Sequence, residues 1–331
     1  MDIIAEIGQA HDGSLGLAHS YIDALASTDV KTVKFQIHIA DAESSKYEPF
    51  RTNFSYQDTS RFDYWKRMEF TPDQWIGLKK HCEDLGLEFL ASPFSIEAFK
   101  LLEKINVKRY KIGSGEVTNK LLIERIAQTK KPIILSSGMS DYNELDLVVN
   151  DLKAKNIDLS ILQCTTSYPT SPKNWGLNII QELKKRYNVK VGFSDHSGEI
   201  YSSLFAAAMG AEIFEFHVVF SKLSFGPDSS SSLTINQVSE LTRGLNQHNY
   251  YKKNLVDKNN LSDFKSLKLI FEKSLSVNKD LEKGHKIRLD DLETKKPSNK
   301  GISANMFKEI LGKKINKNLK KWDFLNFKDL E

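Results

Sequence analysis

Short apolar runs recur through the first two-thirds of the chain, separated by longer stretches of helical periodicity. The β-like runs are IIAEIG (3–8), TVKFQIHI (32–39), LEFLASPF (87–94), RYKIGSG (109–115), PIILSSGM (132–139), LSILQCTT (159–166), KVGFSDHS (190–197) and EIFEFHVV (212–219). Several are nearly continuous in apolar character, as strands buried on both faces of a parallel sheet must be. Helical spacing appears in SLGLAHSYIDALAST (14–28), TPDQWIGLKKHCEDLG (71–86) and NKLLIERIAQTK (119–130). Ser95 and Asn119 stand at N-cap positions, and Gly86 at a C-terminal stop. Eight β-runs alternating with helices over about 250 residues predict a (β/α)8 TIM barrel. An open doubly wound sheet would begin with a glycine-rich phosphate turn, and EIGQAHDGS after the first run lacks G-x-G-x-x-G. The alternation is broken at 40–70, a polar, aromatic loop after the second run. On the catalytic side of a barrel, such a segment is expected to be a lid or a substrate wall.

Beyond TINQVSELTRGLNQHNYY (234–251) the texture changes. Residues 252–266 read as a polar linker, and 267–331 as a small β-rich domain with runs at KGHKI, KKPSNKGIS and KKINKNL. The expected division is therefore a catalytic barrel over 1–251, a linker over 252–266 and a small domain over 267–331. With 40% apolar and 27% charged residues in 331, the composition is that of a globular protein. No run of 18 apolar residues exists and the N-terminus has no signal-peptide pattern, so no membrane partner is expected. Cys82 and Cys164 supply no disulfide framework, which suits the cytoplasm. The net charge of +4 is concentrated in the tail, but no nucleic-acid motif accompanies it, and no nucleic acid is expected as a partner.

Active sites of such barrels form at the C-terminal ends of the strands. Polar side chains gather there: Glu6, Lys34 with Gln36, Ser92, Lys111 with Ser114 and Glu116, Ser136, Thr165 and Thr166, Ser194 with His196, and Glu215 with His217. The i, i+2 pairs share one face of their strand. Buried polar groups are costly unless paired or bound, so the concentration argues for a ligand site. Two ammonium groups with several hydroxyls suit a small anion such as a phosphate or phospho-carboxylate. His196 and His217, on neighbouring strands, are placed for one divalent metal to bridge them; the alternative is one structural and one solvated histidine.

The ordered motifs IIAEIG, VKFQIH, SPF, YKIGSGE, ILSSGM, QCTTSYP and GFSDHS resemble the sialic acid (N-acetylneuraminate) synthase family over residues 3–228. The tail DLEKGHKIRLDDLETKKP…GKK resembles the SAF (antifreeze-like) domain of those synthases. The resemblance implies a transferase that condenses phosphoenolpyruvate with an open-chain N-acyl hexosamine, giving a nonulosonic acid and phosphate. It implies His196 and His217 as ligands of Mn2+, with Mg2+ or Co2+ as substitutes. It places phosphoenolpyruvate against Lys34, Ser92, Lys111, Ser114, Ser136, Thr166 and Ser194, and the sugar against Gln36, Glu116, Tyr168, Asp228 and Lys296. Glu6 and Lys111 become the catalytic residues, Glu6 orienting water or moving a proton; a salt bridge to a neighbouring lysine is the alternative for Glu6. A domain-swapped homodimer is also implied, with Lys296 entering the partner's sugar site.

The chain departs from the family pattern at Gln9-Ala10-His11, where Asn usually precedes the histidine, and at Thr166, which stands in place of an asparagine. Phe216 replaces a common basic residue, and Lys296 an arginine whose planar bidentate contact lysine cannot reproduce. These changes bear on the sugar: a diacetamido-trideoxyhexose competes with N-acetylmannosamine. A synthase of the Kdo or 3-deoxyheptulosonate type would explain the lysines but not the tail, and a non-catalytic carbohydrate-binding barrel would have lost the groups retained here.

Overall fold

The computed structural model describes residues 1–52 and 54–331. The chain forms two compact units, Met1–Asn254 and Leu255–Glu331. In the first, the strands are β1 (Asp2–Gly8), β2 (Thr32–Ile37), β3 (Glu88–Pro93), β4 (Tyr110–Ile112), β5 (Ile133–Ser136), β6 (Leu159–Cys164), β7 (Lys190–Asp195) and β8 (Ile213–Val219). They pair in parallel in the order β3-β2-β1-β8-β7-β6-β5-β4, a nearly closed (β/α)8 barrel, and the short β9 (Leu233–Thr234) adds to β8. At the seam between β3 and β4, Arg109 reaches Glu88 at 2.8 Å and also binds Asp2 at the start of β1. A charged clasp thus spans the N-terminal end, where no backbone ladder among the described residues joins the two strands.

Alternation along the strands sorts the interior into layers. Ile4, Leu90, Ile134, Leu162 and Ile213 form a separate buried cluster. Two residues further along the same strands stand Glu6, Ser92, Ser136, Cys164 and Glu215. Apolar packing therefore plugs the barrel immediately below its polar C-terminal layer. The large core lies on the opposite strand faces and includes Ile7, Phe35, Phe89, Phe193 and Phe214 packed against helix residues such as Tyr21, Trp75 and Leu183.

Helix starts follow local chemistry. Ser14, Ser95 and Asn119 accept from the backbone N–H three residues on, and Thr71 with Gln74 forms a capping box ahead of Pro72. Segment 40–70 is more ordered than a loop. It holds helices Ala40–Glu43 and Arg61–Met68, and a satellite core of Ala40, Tyr64, Trp65 and Met68 with Phe50, Phe54 and Phe62 against it. The aromatic residues that made it look irregular are what fold it. No helix among the described residues is long and apolar enough to cross a membrane.

The helix Ile235–Lys253 continues past residue 251, and in the second unit Lys265–Phe271 is also helical. That unit has one regular two-stranded antiparallel ladder, β10 (Ser274–Val277) with β11 (Leu292–Lys295). The KGHKI and KKINKNL runs meet only through isolated bridges, because turns interrupt them after three or four residues. An internal repeat organises the unit: Asn278, Lys279, Leu281 and Asp291 recur as Asn316, Lys317, Leu319 and Asp329. Lys279 and Lys317 each lie 2.6 Å from the buried carboxylate of their own half. Leu281 and Leu319 exchange both backbone hydrogen bonds at 2.9 Å, so the halves meet about an approximate two-fold axis. Trp322 even takes the positive φ (75°) of its counterpart Gly284 (89°).

Candidate active site

Strand register brings the charges together. Glu6 stands opposite Lys34 on β2 and opposite His217 on β8, while Ser194 faces Glu215. The Lys34 ammonium contacts Glu6 and lies 3.8 Å from Glu215 Oε1; Lys111 Nζ lies 3.1 Å from the same oxygen. Ser194 Oγ donates to it at 3.2 Å. All four charged groups are buried. Burial pulls the Lys34 ammonium below its usual range, against the pull of Glu215. Burial would push Glu215 up, but the adjacent Lys111 and Lys34 outweigh it and hold the carboxyl below the usual range. Two cations thus face two anions. Glu6 takes part in the salt bridge that was its alternative role, yet among the described residues its Oε1 has no hydrogen-bond partner, nor have Glu215 Oε2 and Ser136 Oγ.

These groups open onto one cavity of about 350 Å³, within the range of small-molecule sites. Of the predicted residues, Glu6, Lys34, Gln36, Ser92, Lys111, Ser114, Ser136, Thr166, Tyr168, Ser194, His196 and His217 all line it. Gly138 makes the convergence possible: a Cβ there would lie 2.8 Å from Ser114 Oγ and 2.9 Å from Thr166 Cγ2. A second cavity of about 500 Å³ shares Gln36, Tyr168 and His217 and adds Glu116 and Asp228. Lys296 belongs to the other unit, where its ammonium lies 4.8 Å from the Phe271 ring centre.

The two histidine rings are 5.2 Å apart, centre to centre, and both are buried. His196 Nδ1 lies 2.8 Å from the Thr165 carbonyl, so this nitrogen carries the proton and donates, leaving Nε2 with its lone pair. Burial, reinforced by the neighbouring His217, holds His196 neutral; burial also lowers His217, against Asp228 at 4.0 Å. A neutral imidazole is the ligand form, and for His196 the backbone also fixes the tautomer. Among the described residues no group of three or more His, Cys, Asp or Glu is arranged as a metal cage. Two imidazoles alone would leave the remaining positions of a bound metal to water and substrate, as in an open site.

Several wall residues were not expected. Arg51 pairs with Asp228 at 2.7 Å and lies over Tyr168, 4.1 Å from the ring centre. Arg61 pairs with Glu48 at 3.1 Å and covers Trp65 at 4.6 Å. Both arginines line both cavities, which makes 40–70 a wall of the site. Basic residues within an aromatic stretch were the available signal, but their partners are remote in sequence. Glu116, at the far side, is raised by burial and accepts from Asn119 Nδ2 at 2.7 Å.

Comparison with known proteins gives a consistent result. The NeuB family pattern matches residues 21–256, and the SAF domain pattern residues 272–331. An N,N'-diacetyllegionaminic acid synthase of Campylobacter jejuni is 34% identical over 324 residues, 96% of each chain. A pseudaminic acid synthase of Helicobacter pylori is 31% identical, over 99% of this chain and 97% of the relative. Among solved structures, an N-acetylneuraminic acid (sialic acid) synthetase of Leptospira borgpetersenii in complex with citrate aligns with a TM-score of 0.70 at 29% identity, covering 80% of this chain and 89% of that one.

Proposed function

The chain belongs to the NeuB family, and from that membership we propose that it condenses phosphoenolpyruvate with an open-chain N-acyl hexosamine, releasing phosphate and forming a nonulosonic acid. The observation that carries this reading is the polar barrel layer. Two buried lysines and a Glu6 oxygen without a hydrogen-bond partner among the described residues share one cavity with two neutral imidazoles. The relatives named above agree on acid synthesis and differ in the sugar acid made. The two full-length matches, with Lys296 in place of an arginine, favour a 2,4-diacetamido-trideoxyhexose over N-acetylmannosamine.

In this reading Lys34 and Lys111, with the hydroxyls of Ser92, Ser114, Ser136, Thr166 and Ser194, hold the phosphate and carboxylate of phosphoenolpyruvate. Gln36, Glu116, Tyr168 and Asp228 hold the sugar with its aldehyde carbon against C3 of phosphoenolpyruvate. The C2–C3 π electrons form the new carbon–carbon bond as the aldehyde C=O π bond breaks onto its oxygen, which takes up a proton to become a hydroxyl, and C2 becomes electron-poor. Water adds at C2 while Glu6 Oε1 takes its proton; the tetrahedral product then expels phosphate, leaving a 2-keto acid. A divalent ion bound by His196 and His217, Mn2+ ahead of Mg2+ or Co2+, would supply Lewis acidity toward the aldehyde oxygen.

The test is phosphate release from phosphoenolpyruvate with a panel of aldoses. Release that requires a diacetamido-trideoxyhexose or N-acetylmannosamine supports the synthase. Release with a sugar phosphate alone, or none with any aldose, rejects it. The reading includes a domain-swapped homodimer in which Lys296 serves a second copy's sugar site. Mixing Lys296→Ala chains with His217→Ala chains should then restore part of the activity that each lacks; no recovery after demonstrated subunit exchange removes that element.

A further inference from the structure

Three arginines stand in the wall segment 40–70, and their commitments differ. Arg51 Nη2 donates to Asp228 at 2.7 Å, and Arg67 donates through Nε, Nη1 and Nη2 to Asp58 and Asp12. Arg61 donates to no described residue: its Nε lies 3.1 Å from Glu48 Oε1 without the alignment of a hydrogen bond. The reason is local. Both Glu48 oxygens already accept from Trp65 Nε1, at 3.3 and 3.1 Å, and Ser44 Oγ donates to one of them. The Arg61 guanidinium is nonetheless held in place. It lies 4.6 Å from the centre of the Trp65 ring, which stacks on His38 at 3.7 Å, and His38 stacks in turn on Phe94 at 4.5 Å. Arg61 is also the first residue of its helix, Arg61–Met68, where a cation opposes the helix dipole. Helix stability does not account for a charge at this position.

A guanidinium carries five N–H donors and accepts nothing. Such groups are satisfied by protein, water or ligand. The Arg61 side chain is 18% exposed and lines both cavities, so its partner belongs to what fills them. The sugar-side cavity sets the kind of partner. Its charged lining is four carboxyl groups, Glu43, Glu48, Glu116 and Asp228, against Arg51 and Arg61, an acidic balance that repels an anionic ligand group. Ionised carboxylates accept from sugar hydroxyls and amide N–H groups. An acyl carbonyl oxygen only accepts, so it needs a donor that carboxylates cannot supply. Asp228 already engages Arg51, and Arg61 is the remaining guanidinium.

We propose that Arg61 determines acyl specificity: its guanidinium donates to the carbonyl oxygen of a sugar N-acyl group. The inference rests on the synthase reading for the sugar and adds a contact which that reading leaves out. Trp65, Phe94 and Tyr168 line the same cavity and give the acyl methyl an apolar surface. Because the Trp65 stack already fixes the cation, little side-chain freedom is lost when the bond forms.

Two measurements on the full-length protein decide it. The first is a ligand-observed NMR titration without phosphoenolpyruvate. It compares N-acetylmannosamine with mannose, and a 2,4-diacetamido-trideoxyhexose with the 6-deoxyhexose that carries hydroxyls at those carbons. Wild type should bind the acylated member of at least one pair about tenfold more tightly, and Arg61→Gln should lose that preference with little change toward the hydroxyl sugar. No preference in the wild type, or one that survives the substitution, overturns the proposal. The second is a steady-state assay with the most active aldose of the panel. Arg61→Gln should raise KM for the sugar about tenfold and leave KM for phosphoenolpyruvate nearly unchanged. A rise in KM for phosphoenolpyruvate instead would place Arg61 on the anion side, and equal losses for acylated and hydroxyl sugars would make it scaffolding; either result rejects the assignment. Should no aldose release phosphate, the synthase reading fails while the titration still judges Arg61. Should Arg61→Gln not fold, Arg61→Lys takes its place. Lysine keeps the charge without the planar pair of donors, so the acyl preference should fall several-fold; an unchanged preference overturns the proposal.

Discussion

Lys111→Met is expected to raise the KM for phosphoenolpyruvate by about 10- to 100-fold while leaving the KM for the sugar within a few-fold. The loss corresponds to one charge-assisted hydrogen bond in a buried site, about 1.5–3 kcal/mol. A second effect must be separated from it. Lys111 lies 3.1 Å from Glu215, and its removal leaves a buried carboxylate whose remaining cation, Lys34, is 3.8 Å away. Breaking a buried pair from one side costs about 3–5 kcal/mol of stability, so Tm should fall as well. The charge-balanced double variant Lys111→Met/Glu215→Gln should recover much of the Tm and none of the phosphoenolpyruvate affinity. Affinity that returns with stability would show Lys111 to be scaffolding, and an unchanged KM in the single variant would refute its role outright.

His196→Ala and His217→Ala should each reduce kcat/KM by about three orders of magnitude or more, the scale of a lost Lewis-acid contribution. Their helical signal should survive, because neither ring is part of the core that joins strands to helices. Calorimetric titration with Mn2+ should show binding to the wild-type chain and weak or no binding to either variant. Full turnover after exhaustive chelation would sink the assignment, as would variants that lose fold and activity in proportion.

The barrel was legible because its strands are covered on both faces, which leaves near-continuous apolar runs, and because inward polar residues stand two apart, as at Lys34/Gln36 and Glu215/His217. The pairing of those charges was not legible. That Glu6 meets Lys34, and Glu215 meets Lys111, depends on register and closure, which no local pattern encodes. Arg51 and His38 were not legible for a related reason: Arg51 acquires its meaning from Asp228 and Tyr168, and His38 from stacking with Trp65 and Phe94. In the tail, by contrast, the signal lies in self-similarity and not in alternation. Hydrophobic alternation there predicts strands that turns interrupt, whereas comparing the tail with itself exposes the recurrence of Asn278-Lys279 and Asp291 as Asn316-Lys317 and Asp329.

That recurrence shapes how the small unit can go astray. Leu281 finds its mate in Leu319, and neither half closes its own core: Leu275, Leu281 and Ile287 from one bury against Ile315, Leu319 and Leu325 from the other. Contacts across the axis therefore wait on two segments, about 40 residues apart in sequence, coming together, which carries an entropic cost. Because the pairing joins two separate segments, the surface that Leu281 offers to Leu319 is one that the Leu319 segment of another chain can also fill. At high concentration the unfolded tail thus carries its own misassembly partner, and the symmetry that makes this small fold economical to encode also exposes it to entanglement between chains during synthesis and refolding.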